Sequence, residues 1–382
     1  LKISKRVDPP PDVLAQCSSM AVASGAAPGG AAASAPGGHS VLHTPLCDLL
    51  DIQHPVMLAG MASASSADLA AAVSNAGGIG TIGGVMLTPD ALRKELGFLR
   101  EQLTPGLPFG VDLMLPQVGG SARKTNKDYT HGKLGELIDI LVEEKIKLFV
   151  CAVGVPPKWA VDKLHAAGTV CGNMIGSPAH VEKALDVGID LLIAQGTEAG
   201  GHTGDVATLP LIPQCVDLVK GKTNFFGSPV LVVAAGGIFD GRGLSAALCL
   251  GAAGAWVGTR FVAAEESGSS KLHKERVVKA QSVDTVRTIA FTGRPCRMVK
   301  TPYVQSWVDR PDEVTRLTSQ GSIPYALDVR AGKVKPTEFY PALMGQAAGA
   351  ITSVKPARDI VEEMVREAAE TLRGMASLRS RL

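Results

Sequence analysis

Leu191-Leu192-Ile193-Ala194-Gln195-Gly196-Thr197-Glu198-Ala199-Gly200-Gly201-His202-Thr203-Gly204 runs an apolar strand directly into a loop of glycines that carries one imidazole. Glycines there let backbone approach a planar or anionic ligand, and the histidine can carry a proton near neutral pH. The same pattern returns at Val230-Leu231-Val232-Val233-Ala234-Ala235-Gly236-Gly237-Ile238 and at Ala255-Trp256-Val257-Gly258-Thr259-Arg260. Three buried strands that each end in a glycine turn predict one shared ligand site.

Working outward, short apolar runs alternate with amphipathic stretches from His54 to Phe261. The candidate strands are 56–59, 78–82, 109–115, 148–153, 170–175, 191–195, 230–235 and 255–257. Capped or proline-initiated helices are expected between them over 66–76, 89–102, 133–145, 157–167, 178–187, 212–220 and 241–250. The strands lack a clean polar alternation, as expected of a parallel sheet covered on both faces. Eight such strands predict a (β/α)8 TIM barrel; a doubly wound open sheet is the alternative, disfavoured because glycine-rich ends recur after strands one, six, seven and eight. The domain reading is a disordered Ala/Gly/Pro-rich tail over 1–42, a barrel over 43–283, an inserted lid or subdomain after strand eight over 284–340, and C-terminal helices over 341–382. Residues 264–282 read as the eighth barrel helix, and no second independent core is evident.

Composition excludes several function classes. With 38 basic and 36 acidic residues and 4% aromatics, the chain has neither the charge nor the stacking surface for a nucleic-acid partner. No run reaches the roughly 18 apolar residues of a membrane span, so a soluble protein is expected. Seven widely spaced cysteines, odd in number and without a CxxC, indicate neither disulfides nor a zinc site and suit a reducing compartment. Ser380-Arg381-Leu382 resembles the Ser-Lys-Leu peroxisomal address, so the localisation reading is cytoplasmic or peroxisomal; a chance tripeptide on a basic helix end is the other interpretation.

Each motif has a bland counterpart. Gly78-Ile79-Gly80-Thr81-Ile82-Gly83 matches GxGxxG literally, but it lacks the following helix and the downstream acid of a dinucleotide site, and it reads as the second barrel strand. Gly236-Gly237 and Gly258-Thr259 lie where barrels commonly bind phosphate through backbone N–H groups; tight turns alone would also need glycine. His202, set among Gly200, Gly201 and Gly204, is the candidate catalytic group, with Glu198 either orienting it or capping a turn. His165 and His180 fall on exterior helices and His39, His43 and His131 on loops, so all five are expected to be solvated. Arg260 and Asp240 read equally as functional or as capping and ion-pair residues. The basic run Arg123-Lys124, followed by Thr125-Asn126-Lys127, lies in the loop after strand three, where one lysine could face the ligand, and most of it reads as a solvated loop. No metal-ligand spacing and no GxSxG motif is present.

At these residues the sequence resembles the nitronate monooxygenases, formerly called 2-nitropropane dioxygenases, which are FMN-dependent (β/α)8 barrels. The resemblance covers about residues 43–352, carried by Pro55-Val56-Met57 with Gly60, Phe109-Gly110-Val111-Asp112, the 194–204 run, Ala234-Ala235-Gly236-Gly237-Ile238, Gly258-Thr259-Arg260-Phe261 and Gly345-Gln346-Ala347-Ala348-Gly349. It implies FMN as cofactor. Met57, Leu58, Ala59 and Gly60 would lie by the isoalloxazine, Gln195 and Gly196 would contact the flavin, and Gly201 would approach it. Gly236, Gly237, Gly258 and Thr259 would hold the phosphate, and Asp112 stands at a flavin-contact position where many members have Asn. His202 matches the family's active-site histidine. The implied reaction is oxidation of alkyl nitronates, and of nitroalkanes after loss of an α-proton, by O2 to a carbonyl compound and nitrite. An NAD(P)H-dependent flavin reductase of the enoyl-ACP or quinone type shares the Gly-Gly-His loop and is the alternative. Relatives of IMP dehydrogenase need a cysteine after strand six, which this chain lacks, and a non-catalytic FMN module would not require His202. The segments 123–147 and 284–340 look more like the fungal-type members. A homodimer is among the open options for assembly.

Overall fold

The computed structural model describes residues 42–335 and 341–376. The alanine-rich tail before residue 42 and the terminal Ser380-Arg381-Leu382 lie outside the described residues.

Eight parallel strands form the body: β1 (Val56–Leu58), β2 (Gly80–Gly83), β3 (Phe109–Met114), β4 (Leu148–Ala152), β5 (Val170–Ile175), β6 (Leu191–Gln195), β8 (Leu231–Ala235) and β9 (Ala255–Val257). Their order is β1-β9-β8-β6-β5-β4-β3-β2, and a parallel bridge from Met57 to Ile79 closes the ring. The expected TIM barrel is therefore present. Between β6 and β8 the two-residue β7 (Gly201–His202) leaves the barrel to join another sheet.

Alternation exists on these strands, hidden because both faces are apolar. Met57, Ala59, Leu148, Val150, Leu191, Ile193, Val233, Ala235 and Trp256 fill the bore. Their neighbours Val56, Leu58, Phe149, Cys151, Leu192, Ala194, Val232, Ala234 and Val257 face the helices. Small residues set the helix distances: a Cβ at Gly80 would strike the Ala70 carbonyl of α2 (Ala67–Asn75), so that helix seats directly on β2.

Around the barrel run α3 (Pro89–Gln102), α4 (Leu134–Glu143), α5 (Lys158–Ala166), α6 (Val181–Leu185), α7 (Thr208–Val219) and α8 (Gly241–Cys249). Thr88 caps α3 ahead of Pro89, and Asp240 caps α8 by accepting from Gly243 N–H. The eighth position differs from expectation. Residues 271–279 are helical, but that helix packs on the chain near 346–350, whereas the C-terminal Ala357–Ala376 helix lies between α8 and α2 and completes the ring. Its apolar stripe Ile360, Val361, Met364, Val365 and Ala368 is what the gap requires.

The stretch after β9 also departs from expectation by enclosing its own apolar cluster. Strands β10 (Thr285–Thr288) and β11 (Cys296–Val299) precede three helices, Pro302–Val308, Pro311–Ser319 and Pro324–Arg330. Ala290, Phe291, Met298, Val304, Trp307, Val314 and Tyr325 pack together there. β11 pairs antiparallel with both β10 and β7, placing Cys296 opposite His202 and Arg297 opposite Gly201.

His165 is buried, contrary to the solvated expectation. Its Nε2 lies 2.8 Å from Asp190 Oδ2, which also accepts from Cys171 N–H at 2.7 Å. The other oxygen accepts from Phe225 N–H at 3.1 Å, and the Phe225 ring stacks on the imidazole at 4.2 Å. Although His165, Cys171 and Asp190 bring ligand-type atoms within 4.8 Å of one another, both carboxylate oxygens are occupied. This network ties α5 to the N-terminal ends of β5 and β6, the face opposite the glycine turns. Replacing Asp190 with Ala should destabilise the protein by about 3 kcal/mol or more in urea denaturation, because the buried His165 ring and Cys171 N–H, and the half-buried Phe225 N–H, lose their shared partner. Ligand binding at the other face should be unchanged.

Candidate active site

The C-terminal ends of the strands gather the candidate residues. Of the inward-facing positions there, Asp112 on β3 and Gln195 on β6 are polar and buried, at 7% and 8% exposure. Met57 and Ala59 face the bore, whereas Leu58 turns its side chain to the helix layer and offers the mouth only backbone. Gly60 lies against Asp112, so closely that a Cβ would collide with the carboxyl.

Asp112 is enclosed without a partner for Oδ1. Burial pushes its carboxyl up to about 8, making it a neutral acid at pH 7 that can donate as well as accept. In protonation it thereby imitates asparagine.

Gly236 and Gly237 have φ of 96° and 76°, which a side chain would strain. No hydrogen bond among the described residues uses the N–H of Gly236, Gly237, Gly258 or Thr259. Four free amides at two adjacent strand ends are donors that could hold an anion. Beside Gly237 an open cleft of about 350 Å3 is lined by Thr197, Glu198, Phe239 and Gln346. Gly196 is already committed, its N–H donating to Ala235 O at 2.9 Å.

The loop after β6 is held from three sides. Gln195 Nε2 donates to His202 O at 2.6 Å, and Thr203 N–H donates to Pro295 O at 3.2 Å. Met344 and Gly345 press against Gly200, where a Cβ would come within 2.7 Å of Gly345 N. Gly345 N–H in turn donates to Thr259 Oγ1 at 2.9 Å, linking the glycine loop to the end of β9. Gly201 has φ of 74° and open space where a Cβ would stand, so its bare face is available to a flat ligand.

The His202 imidazole contacts the inserted segment, its Nε2 lying 3.0 Å from Thr292 Oγ1. When that hydroxyl donates to Arg294 O, 3.2 Å away, Nε2 carries the proton and donates to it. Nδ1 is left as the basic nitrogen. Enclosure by protein, reinforced by the Arg294 charge, pushes the imidazole down to about 4.

Other candidates take structural duties. Both Glu198 oxygens accept from Thr208 N–H at 3.2 Å, capping α7 without touching His202. Arg260 is buried and donates to Ala263 O and Ser353 O, and Asp240 pairs with Arg242 besides capping α8.

The profile of the nitronate monooxygenase family matches residues 43–367. A Staphylococcus saprophyticus protein named "Probable nitronate monooxygenase" is 31% identical over 87% of this chain and 99% of its own length. Among solved structures, FabK from Thermotoga maritima superposes with a TM-score of 0.73 at 33% identity, covering 88% of this chain and 99% of that one. Nitroalkane oxidase from Streptomyces ansochromogenes gives 0.71 at 28% identity, covering 86% and 99%.

The chain belongs to the nitronate monooxygenase family. It is an oxidoreductase, and among its described residues no helix is long and apolar enough to cross a membrane. The loop that carries His202 is embedded in contacts that the sequence does not announce: Thr292 on its ring, and Arg294 held by Asn126 at the mouth. Their only sequence signal is the Thr-Gly-Arg-Pro turn at 292–295, whose partners lie about ninety and about one hundred and seventy residues away.

Asp112 makes a pH test available. Its ordinary value is 3.8, so between about 4 and about 8 the folded chain holds a proton that the unfolded chain has released, and stability falls as pH rises through that window. The slope is on the order of 1 kcal/mol per pH unit. Asp112→Asn should match the wild type in urea denaturation at pH 4 and exceed it increasingly toward pH 8. A constant difference across that range would show that Asp112 is ionised in the folded protein.

Proposed function

We propose that this protein oxidises alkyl nitronates, and neutral nitroalkanes after removal of an α-proton, with FMN as cofactor and O2 as co-substrate, giving a carbonyl compound and nitrite. The observation that carries this reading is a single neutral imidazole beside a cradle of free backbone amides at the mouth of the barrel. Family membership and the likeness to nitroalkane oxidase support it.

The residues suit FMN. The amides of Gly236, Gly237, Gly258 and Thr259 would take its phosphate, and the bare face of Gly201 would take the ring. Met57, Ala59, Gly60, Gln195 and Gly196, with the backbone of Leu58, would lie along the floor between them. Asp112, with an unpartnered oxygen and a retained proton, would meet a polar edge of the isoalloxazine. Bound there, the flavin supplies electron acceptance from the electron-rich nitronate carbon and reaction with O2.

What remains for the protein is orientation and one proton transfer. Gln195 fixes the His202 carbonyl and Thr292 fixes Nε2–H, so Nδ1 is the atom that removes the α-proton of a nitroalkane. With a pre-formed nitronate the same imidazole only holds the nitro group. Of the two segments that resemble the fungal-type members, 123–147 and 284–340, Thr125 and Asn126 of the first meet the 292–295 turn of the second beside His202.

A second reading, an NAD(P)H-dependent flavin reductase of the enoyl-ACP or quinone type, draws support from the equally strong likeness to FabK. Anaerobic reduction separates the two. Bleaching of the flavin by a nitronate, with nitrite formed on admitting air, supports oxidation; bleaching only by NADH or NADPH moves the assignment to a reductase. Two further outcomes are expected. His202→Asn should lower kcat/KM for nitroethane by roughly 10²- to 10⁴-fold while FMN stays bound. In the wild type that parameter should stay level from pH 8 to about 5 and fall only near the imidazole value of about 4.

A further inference from the structure

The turn Thr292-Gly293-Arg294-Pro295 bridges the barrel mouth, clamped at both ends. On one side Thr292 and Pro295 bond to the His202 strand. On the other, Thr125 Oγ1 donates to Gly293 O at 3.4 Å, and a Cβ at Gly293, where φ is 72°, would collide with Thr125. Arg294 is thus fixed above the site between the loop after β3 and the catalytic histidine.

Its guanidinium is half-buried, and its Nε donates to Asn126 Oδ1 at 3.0 Å. No carboxylate lies within ion-pair distance among the described residues, and the terminal nitrogens have no hydrogen bond there. Other sheltered arginines differ. Arg260 donates to two carbonyls, Arg297 to Thr197 O and Thr285 Oγ1, and Arg287 pairs with Asp205 at 2.6 Å. The titratable groups near Arg294 are Arg123 and Tyr129 from the loop after β3 and His202 from β7, with no carboxylate among them. A desolvated cation beside a second cation is costly unless an anion completes the site.

Resting on the nitronate reading, we propose that Arg294 is the substrate's anion-binding residue, taking the two oxygens of a nitronate or nitro group through its free terminal N–H groups beside His202. The planar O–N–O unit matches the guanidinium fork as a carboxylate does. The same charge disfavours a proton on His202, so one residue both selects anionic substrates and keeps the base neutral.

The experiment compares Arg294→Met and Arg294→Lys with the wild type, each loaded with FMN. For Arg294→Met, KM for ethylnitronate should rise about 10- to 100-fold, the loss of a charge-assisted bidentate contact, while KM for neutral nitroethane shifts less than about threefold. Arg294→Lys should recover part of the loss. The acid limb of kcat/KM for nitroethane should move to higher pH in Arg294→Met. A binding arm needs no turnover: benzoate titrated into the loaded protein should perturb the flavin spectrum saturably in the wild type and at least tenfold more weakly in Arg294→Met. That arm still reads Arg294 if the wild type proves unable to oxidise nitronates, which would remove the functional reading alone. Equal benzoate affinity in wild type and Arg294→Met, or equal KM losses for the anionic and the neutral substrate, would overturn the assignment.

Discussion

The antiparallel pairing of Gly201–His202 with Cys296–Arg297 is the constraint on which the mouth of this barrel depends. A glycine loop at a strand end has many conformations, and fixing each residue costs roughly 1–2 kcal/mol of backbone entropy. Here the loop is drawn out of the barrel and made a strand of a separate sheet, whose other strands rest on the Phe291, Trp307 and Tyr325 cluster. The imidazole is therefore positioned by two packed cores at once. The barrel supplies Gln195 to its carbonyl and the insertion supplies Thr292 to its ring.

That arrangement requires close backbone approach wherever the excursion passes other chain. A Cβ at Gly176 would come within 2.7 Å of Gly204, and one at Gly345 within 2.7 Å of Glu198 O. These glycines serve packing, and they are distinct from Gly201 and Gly236, where the conformation itself or the open face demands glycine. The strap at 342–351 matters for the same reason. With Val262, Ala263 and Val277 it forms an apolar cluster beneath Thr259, so the end of β9, the histidine loop and the C-terminal segment are packed as one unit.

The sequence makes the barrel legible because its signals are local: an apolar run, then glycine. Strands 170–175, 191–195 and 255–257 end where those signals end. His202 stands out in the sequence because its local neighbours are glycines, while the insertion that encloses its ring lies about ninety residues away. What escapes local reading is set by partners far along the chain. The charged stretch 264–282 has the length of a barrel helix, but the gap between α8 and α2 selects the more amphipathic segment 357–376. His165 looks like a surface residue from its helix alone, since nothing nearby announces that Asp190, twenty-five positions on, will be buried beneath it. Glu198 stands four residues before His202 and invites a catalytic reading, yet α7 needs an acceptor at its first turn and takes it. The insertion hides its core because its apolar residues are spread over short strands and three short helices, none periodic enough to signal burial alone.

These placements together determine the sign of charge at the mouth. Glu198 is turned onto the α7 amide, Asp205 faces Arg287, and Asp112 keeps its proton under burial. These three acidic side chains are committed elsewhere or neutral, and among the described residues no carboxylate pairs with Arg294, while His202 remains an uncharged base. Such a field costs stability when the site holds only water, because like charges and desolvated donors face one another. Under the proposed function it would repay that cost when a phosphate settles on the free amides of the β8 and β9 turns and a second anion lies under Arg294. On that reading the same field would stabilise negative charge as it develops on a nitro group losing its α-proton, and an imidazole that is not itself cationic would accept that proton.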